Sequence, residues 1–69
     1  MTNIKRLEDV IKKSGLKKGF LAESIGLSRQ AFSKKCKNES LFTSEEIKKL
    51  CELLNITKLS EKEQIFFAK

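Results

Sequence analysis

The sequence predicts a compact all-α domain of five short helices, with a tight two-helix corner at residues 18–37. Three observations carry that prediction. Apolar side chains recur at helical spacing, as in Ile4, Leu7, Val10 and Ile11 and again in Ile47, Leu50, Cys51 and Leu54. Helix-start signals precede such runs, as where Thr43 is followed three residues later by Glu46. Between the two runs, Leu21, Ala22, Ile25, Gly26, Leu27, Ser28 and Phe32 form a set that fits two helices meeting at a sharp angle.

The first helix is expected over residues 4–13, capped by Thr2 or Asn3 and stopped at Ser14-Gly15. Its outer face carries Lys5, Arg6, Glu8, Asp9, Lys12 and Lys13, which read as a solvated face. The second helix, Lys18–Ile25, buries Leu21, Ala22 and Ile25; Ala22 is small because a steep crossing leaves no room for more. Gly26 supplies a positive φ at the turn, Leu27 plugs it, and Ser28 caps the third helix, Arg29–Lys37. At 100° per residue, Phe32 and Cys36 face inward while Gln30, Ser33, Lys34 and Lys37 face solvent. Leu41 and Phe42 are expected to tuck beneath the corner. A fourth helix follows Thr43 and ends at Asn55. Ser60 and Glu63 form a second capping-box pattern ahead of a last helix bearing Ile65, Phe66 and Phe67.

A chain of 69 residues makes one domain, 1–69, with a small core. Fifteen Lys and Arg stand against nine Asp and Glu, a formal net charge of +6. Residues 1–38 hold ten of the basic residues with only Glu8, Asp9 and Glu23, whereas residues 39–69 hold five lysines and six glutamates. The basic excess therefore lies in the half that contains the corner, and no acidic residue occurs between Glu23 and Glu39. Clustering of this kind points to nucleic acid; the competing reading is a solvated lysine-rich surface.

Other classes find less support. Cys36 and Cys51 occupy apolar helical positions as small hydrophobes and make no disulfide framework. With no histidine, a zinc site lacks a ligand set, and neither metal nor cofactor is expected. The longest apolar run, residues 65–68, is far too short to span a bilayer. MTNIKRLEDV holds no signal segment, so no membrane partner and a cytoplasmic location are expected. Without histidine, a glycine-rich phosphate loop or a nucleophile beside a base, an enzyme is not expected.

The pattern Ala22–x3–Gly26–x5–Phe32, with Leu21, Ile25 and Leu27, resembles the helix-turn-helix of the lambda-repressor and Cro-like superfamily. The phrase LAESIGLSRQAFSKK is similar to small phage and mobile-element regulators of Gram-positive bacteria. The likeness covers nearly the whole chain and implies a five-helix lambda-repressor-like domain that binds a double-stranded DNA operator, usually as a homodimer. Three positions depart from the family's habits. Lys18 stands where many members have a phosphate-clamping Gln, and a point charge holds a phosphate with looser geometry. Lys35 stands where a hydrophobic residue is common, Cys36 taking the inward role. Lys37-Asn38 replaces Asn-Gly at the end of the recognition helix, Asn being the next-best residue for a left-handed cap.

Base readout is assigned to Arg29, Gln30 and Lys34, with Ser33 as an adaptable partner, because an amide suits adenine and a cation suits guanine. Lys17, Lys18, Ser28, Lys35, Lys37, Asn38 and Ser40 are candidate phosphate contacts; for each lysine a solvated, energetically silent role is the alternative. Ile65, Phe66 and Phe67 are read as a dimer contact, against plain core closure. With no sensor or protease domain in the sequence, a Cro-like repressor is favoured. An antitoxin-type interaction module that also binds its own promoter is the main rival. An RNA-binding role lacks exposed aromatics, there being no Tyr or Trp, and a membrane-surface role lacks a long helix with a wide apolar face.

Overall fold

Asn3 sets the first helix: its Oδ1 accepts the Arg6 N–H at 3.2 Å, one of the donors that a helix start leaves unpaired. In a computed structural model describing residues 1–67, that helix, α1, runs Ile4–Ser14 and buries Leu7 and Ile11. Ile4 lies half exposed at its open first turn. Gly15, at φ 76°, ends α1 by donating to the Lys12 carbonyl. The elements that follow are α2 (Lys18–Ser24), α3 (Arg29–Cys36), α4 (Ser44–Leu53) and α5 (Leu59–Phe66). The described residues contain five helices and no strand, so the predicted all-α architecture is the one observed.

Three of the helices end in the same way. After α2, Gly26 takes φ 81° and donates to the Glu23 carbonyl, while Leu27 donates to Ala22 at 2.9 Å. After α3, Asn38 (φ 63°) and Glu39 repeat those bonds to Lys35 and Lys34. After α4, Asn55 (φ 60°) and Ile56 repeat them to Glu52 and Cys51. Each is a left-handed residue followed by a reversal that satisfies carbonyls the helix would otherwise leave open. The expected glycine turn and both asparagine stops are therefore present. The helical ranges close one residue earlier than the periodicity suggested, because Ile25 and Lys37 serve as the caps.

Every helix contributes one side chain to the centre of the core: Leu7, Leu21, Phe32, Leu50 and Ile65 are essentially inaccessible to solvent. Around them Phe42 meets Phe32 edge-on at 6.0 Å and Phe66 at 5.8 Å, so three rings link α3, the loop after it and α5. Edge-to-face pairs of this sort add about 0.5–1.5 kcal/mol beyond their buried area. Phe42 thus tucks under the corner as expected, but Leu41 does not; it is 67% exposed. Of these two loop residues the core takes one, Phe42, whose ring packs edge-on between Phe32 and Phe66.

The last helix differs from expectation at its start. It begins at Leu59 with Lys58 as cap and no side-chain capping bond. Ser60 is therefore already helical and cannot cap. Ile56 is anchored in the core, so the chain has only Thr57 and Lys58 in which to turn before α5. The capping box at Thr43 does form: Thr43 Oγ1 accepts the Glu46 N–H at 3.2 Å, and Glu46 Oε1 accepts the Thr43 N–H at 2.9 Å.

A short strap precedes α1. The Asn3 N–H donates to the Ile65 carbonyl at 2.6 Å, and Thr2 is buried with both backbone groups bonded to the Asn38 side chain. The strap ties the end of α3 to α5.

Candidate nucleic-acid interface

The surface is built on the α2–α3 corner. Ser28 Oγ accepts the Ala31 N–H at 3.1 Å and starts α3 with one side committed inward. Phe32 and Cys36 are buried on that side, which leaves Arg29, Gln30, Lys34 and Lys37 exposed on the other and Ser33 half-buried at its edge. The Arg29 side chain lies over Gly19 of α2; a Cβ there would sit 3.5 Å from Nε, in ordinary contact. Beside it a groove of about 320 Å³ opens between α3, the start of α2 and Glu8 of α1.

Four of the candidate phosphate contacts are exposed at the rim of this corner: Lys17 before α2, Ser28, Lys37 and Ser40. Ser28 spends a lone pair on its cap and keeps its hydroxyl hydrogen for a ligand. Lys18 is half exposed and already paired, its Nζ donating to Glu8 Oε1 at 2.7 Å with side chains 52% and 42% accessible.

Two residues assigned to phosphate turn the other way. Lys35 donates to Glu46 Oε1 at 2.6 Å, and the two side chains are only 13% and 14% accessible. It bridges α3 to α4, its ammonium held by the carboxylate of Glu46 in the first turn of α4 and largely withdrawn from solvent. Burial works to raise the Glu46 carboxyl, but the hydrogen bonds from Lys35 and Thr43 and the lysine charge outweigh it and hold the carboxyl below its ordinary value. Asn38 is likewise occupied: Oδ1 accepts the Thr2 N–H at 3.0 Å, and Nδ2 donates to the Thr2 carbonyl at 2.8 Å. A side-chain amide with both ends bonded inside the protein has little left for a phosphate.

The aromatic end of the chain also departs from expectation. Ile65 and Phe66 are core residues, with Phe66 in the ring stack, so neither can meet a second copy without dismantling the fold. Of the three residues read as a dimer contact, only Phe67 is available, at 54% exposed. Cys36 and Cys51 are free and buried, as their helical positions required. Burial pushes the Cys36 thiol up to about 11 against the lowering charge of Lys18, with Glu8 adding to the rise; it is protonated and inert at neutral pH. Among the described residues no group of acidic, histidine or cysteine side chains could hold a metal, and no helix is long and apolar enough to cross a membrane.

Glu8 and Glu46 shape this surface through lysine-pairing roles that are not readable from the sequence. Each pairs with a lysine from another helix, ten and eleven residues away, and helical periodicity registers only neighbours on one helix.

The family model for the Cro/C1-type HTH DNA-binding domain matches residues 6–61. The chain belongs to that family. As a Cro/C1-type domain it is a sequence-specific DNA-binding transcription regulator, and the match extends from the first turn of α1 into the first turn of α5. Neither the curated proteins nor the solved structures gave a match to the chain.

Proposed function

We propose that this Cro/C1-type domain is a Cro-like repressor that lays α3 in the major groove of its operator, two copies to a pseudo-palindromic site. The observation that carries the reading is the outer face of α3, where Arg29, Gln30, Lys34 and Lys37 are exposed on a helix whose other side is locked into the core by Phe32 and Cys36. A helix held rigidly from behind, with no acidic residue between Glu23 and Glu39, suits a groove lined by base acceptors and flanked by phosphates. Gln30 donates to and accepts from an adenine edge; Arg29 and Lys34 donate to guanine; Ser33 adapts to either. Lys17, Lys18, Ser28, Lys37 and Ser40 hold phosphates and fix register without reading sequence. Exposed Phe67 supports pairing of two copies through the α5 end. A domain seated in an operator excludes other proteins from the same groove, so repression is the direct consequence of binding.

Selection from a random DNA pool, followed by sequencing, tests the reading in one step. It should return an inverted repeat with half-site centres about 34 Å apart; a pool without enrichment, or with only unpaired sites, would refute specific binding or the two-copy arrangement respectively. On the selected site, Gln30→Ala should cost about 1–3 kcal/mol and relax preference at one base pair while leaving random DNA unaffected. Equal losses on both DNAs would move Gln30 to the backbone contacts.

A further inference from the structure

Glu8 belongs to α1, outside the corner, yet its carboxylate sits 2.7 Å from Lys18 Nζ and lines the same groove as Arg29, Gln30 and Lys37. Among the described residues it is the only carboxylate in a lining whose cations are Lys18, Arg29 and Lys37. An anionic oxygen taking a charge-assisted hydrogen bond from Lys18 presents the chemistry of a phosphate oxygen at the same place. A phosphate approaching that ammonium meets the Glu8 carboxylate at contact distance and is repelled by it. Both side chains of the pair are half exposed, so the bond is weak and can be exchanged.

We propose that Glu8 is an intramolecular stand-in for a DNA phosphate: it holds Lys18 in the free protein, surrenders it on docking, and lowers affinity for DNA of every sequence. The inference rests on Lys18 being a phosphate contact. Non-specific binding is made almost wholly of phosphate contacts, so a carboxylate at this point shortens the time a protein of charge +6 spends on random DNA. Asp9, the next residue, provides the control. It carries the same charge but lies against α5, in a depression shared with Val10, Glu61 and Ile65, away from the groove.

The test is fluorescence anisotropy with a short random-sequence duplex over a range of NaCl concentrations. Glu8→Gln should raise affinity about two- to fivefold, the worth of one exposed pair. It should also steepen the salt slope by up to about one unit. Glu8→Ala should do the same, and Asp9→Asn should do neither. A gain from Asp9→Asn equal to that from Glu8→Gln would overturn the proposal in favour of net charge alone. Lys18→Ala separates the inference from the reading beneath it, because it should weaken binding and flatten the slope. If it does and the Glu8 variants bind like wild type, Glu8 is no competitor and Lys18 keeps its role; if Lys18→Ala changes nothing, both ideas fall.

Discussion

Glu46 shows how much one carboxylate can carry in a small protein. A single oxygen, Oε1, accepts from the Thr43 N–H at the start of α4 and from Lys35 Nζ on α3. Its carboxyl titrates below the ordinary 4.5, so folding favours the ionised form. The stability it contributes is therefore complete above about pH 4.5 and is lost as pH falls through the lower, folded-state value. Glu46→Gln keeps an acceptor for the cap but removes the charge opposite a lysine with little access to water, and should cost about 2 kcal/mol at neutral pH. Urea denaturation at neutral and acidic pH checks this: the gap between variant and wild type should close as the acid range is entered. A gap independent of pH would show that packing, not ionisation, is what Gln disturbs. Thr43 and Glu46 were legible in the sequence as a capping box, since a cap is local. The second role was not, and for the same reason Lys35 reads from the sequence as a candidate phosphate contact.

At the scale of elements, helix ends were more legible than helix partners. Gly26 takes the positive φ expected of the turn and Asn38 the left-handed cap, and Gly15 and Asn55, expected as helix stops, take positive φ as well. Ser60 failed as a cap because tertiary anchoring of Ile56 overrode a local pattern. The two asparagines have the same backbone conformation but different side-chain roles, which makes them a matched pair. Asn38 clamps the Thr2 backbone with two hydrogen bonds; Asn55 is exposed just past the C-cap of α4. Asn38→Gly should therefore cost about 1–2 kcal/mol, by loss of the clamp, whereas Asn55→Gly, which only eases the backbone, should stay within about 0.5 kcal/mol of wild type. Thermal unfolding of the two variants side by side decides the matter. Equal shifts would mean that the strap from Asn38 to α5 adds nothing to stability and that Asn38 serves the turn alone.

For the whole molecule, magnitude decides which experiment can test pairing of two copies. A domain of 69 residues holds a net stability of about 3–10 kcal/mol. Phe66 is buried and meets Phe42 edge-on, so Phe66→Ala should remove about 3–5 kcal/mol and leave a substantial unfolded fraction. Any loss of operator affinity it caused would then say nothing about association. Phe67 separates the two effects because it is already more than half exposed, beside Asn3, Arg6 and Gln64 at the α1–α5 edge. Phe67→Ala should melt within a few tenths of a kcal/mol of wild type, about the range for exposed sites. If α5 is the pairing edge, the variant should weaken binding to a two-half-site operator and leave binding to an isolated half-site unchanged, since no DNA contact is touched. Sedimentation of the protein–operator complex would show one copy where wild type shows two. Unchanged occupancy of the full operator would move the pairing surface elsewhere, and other exposed apolar side chains, Phe20, Leu41 and Leu59 among them, would be the next to replace.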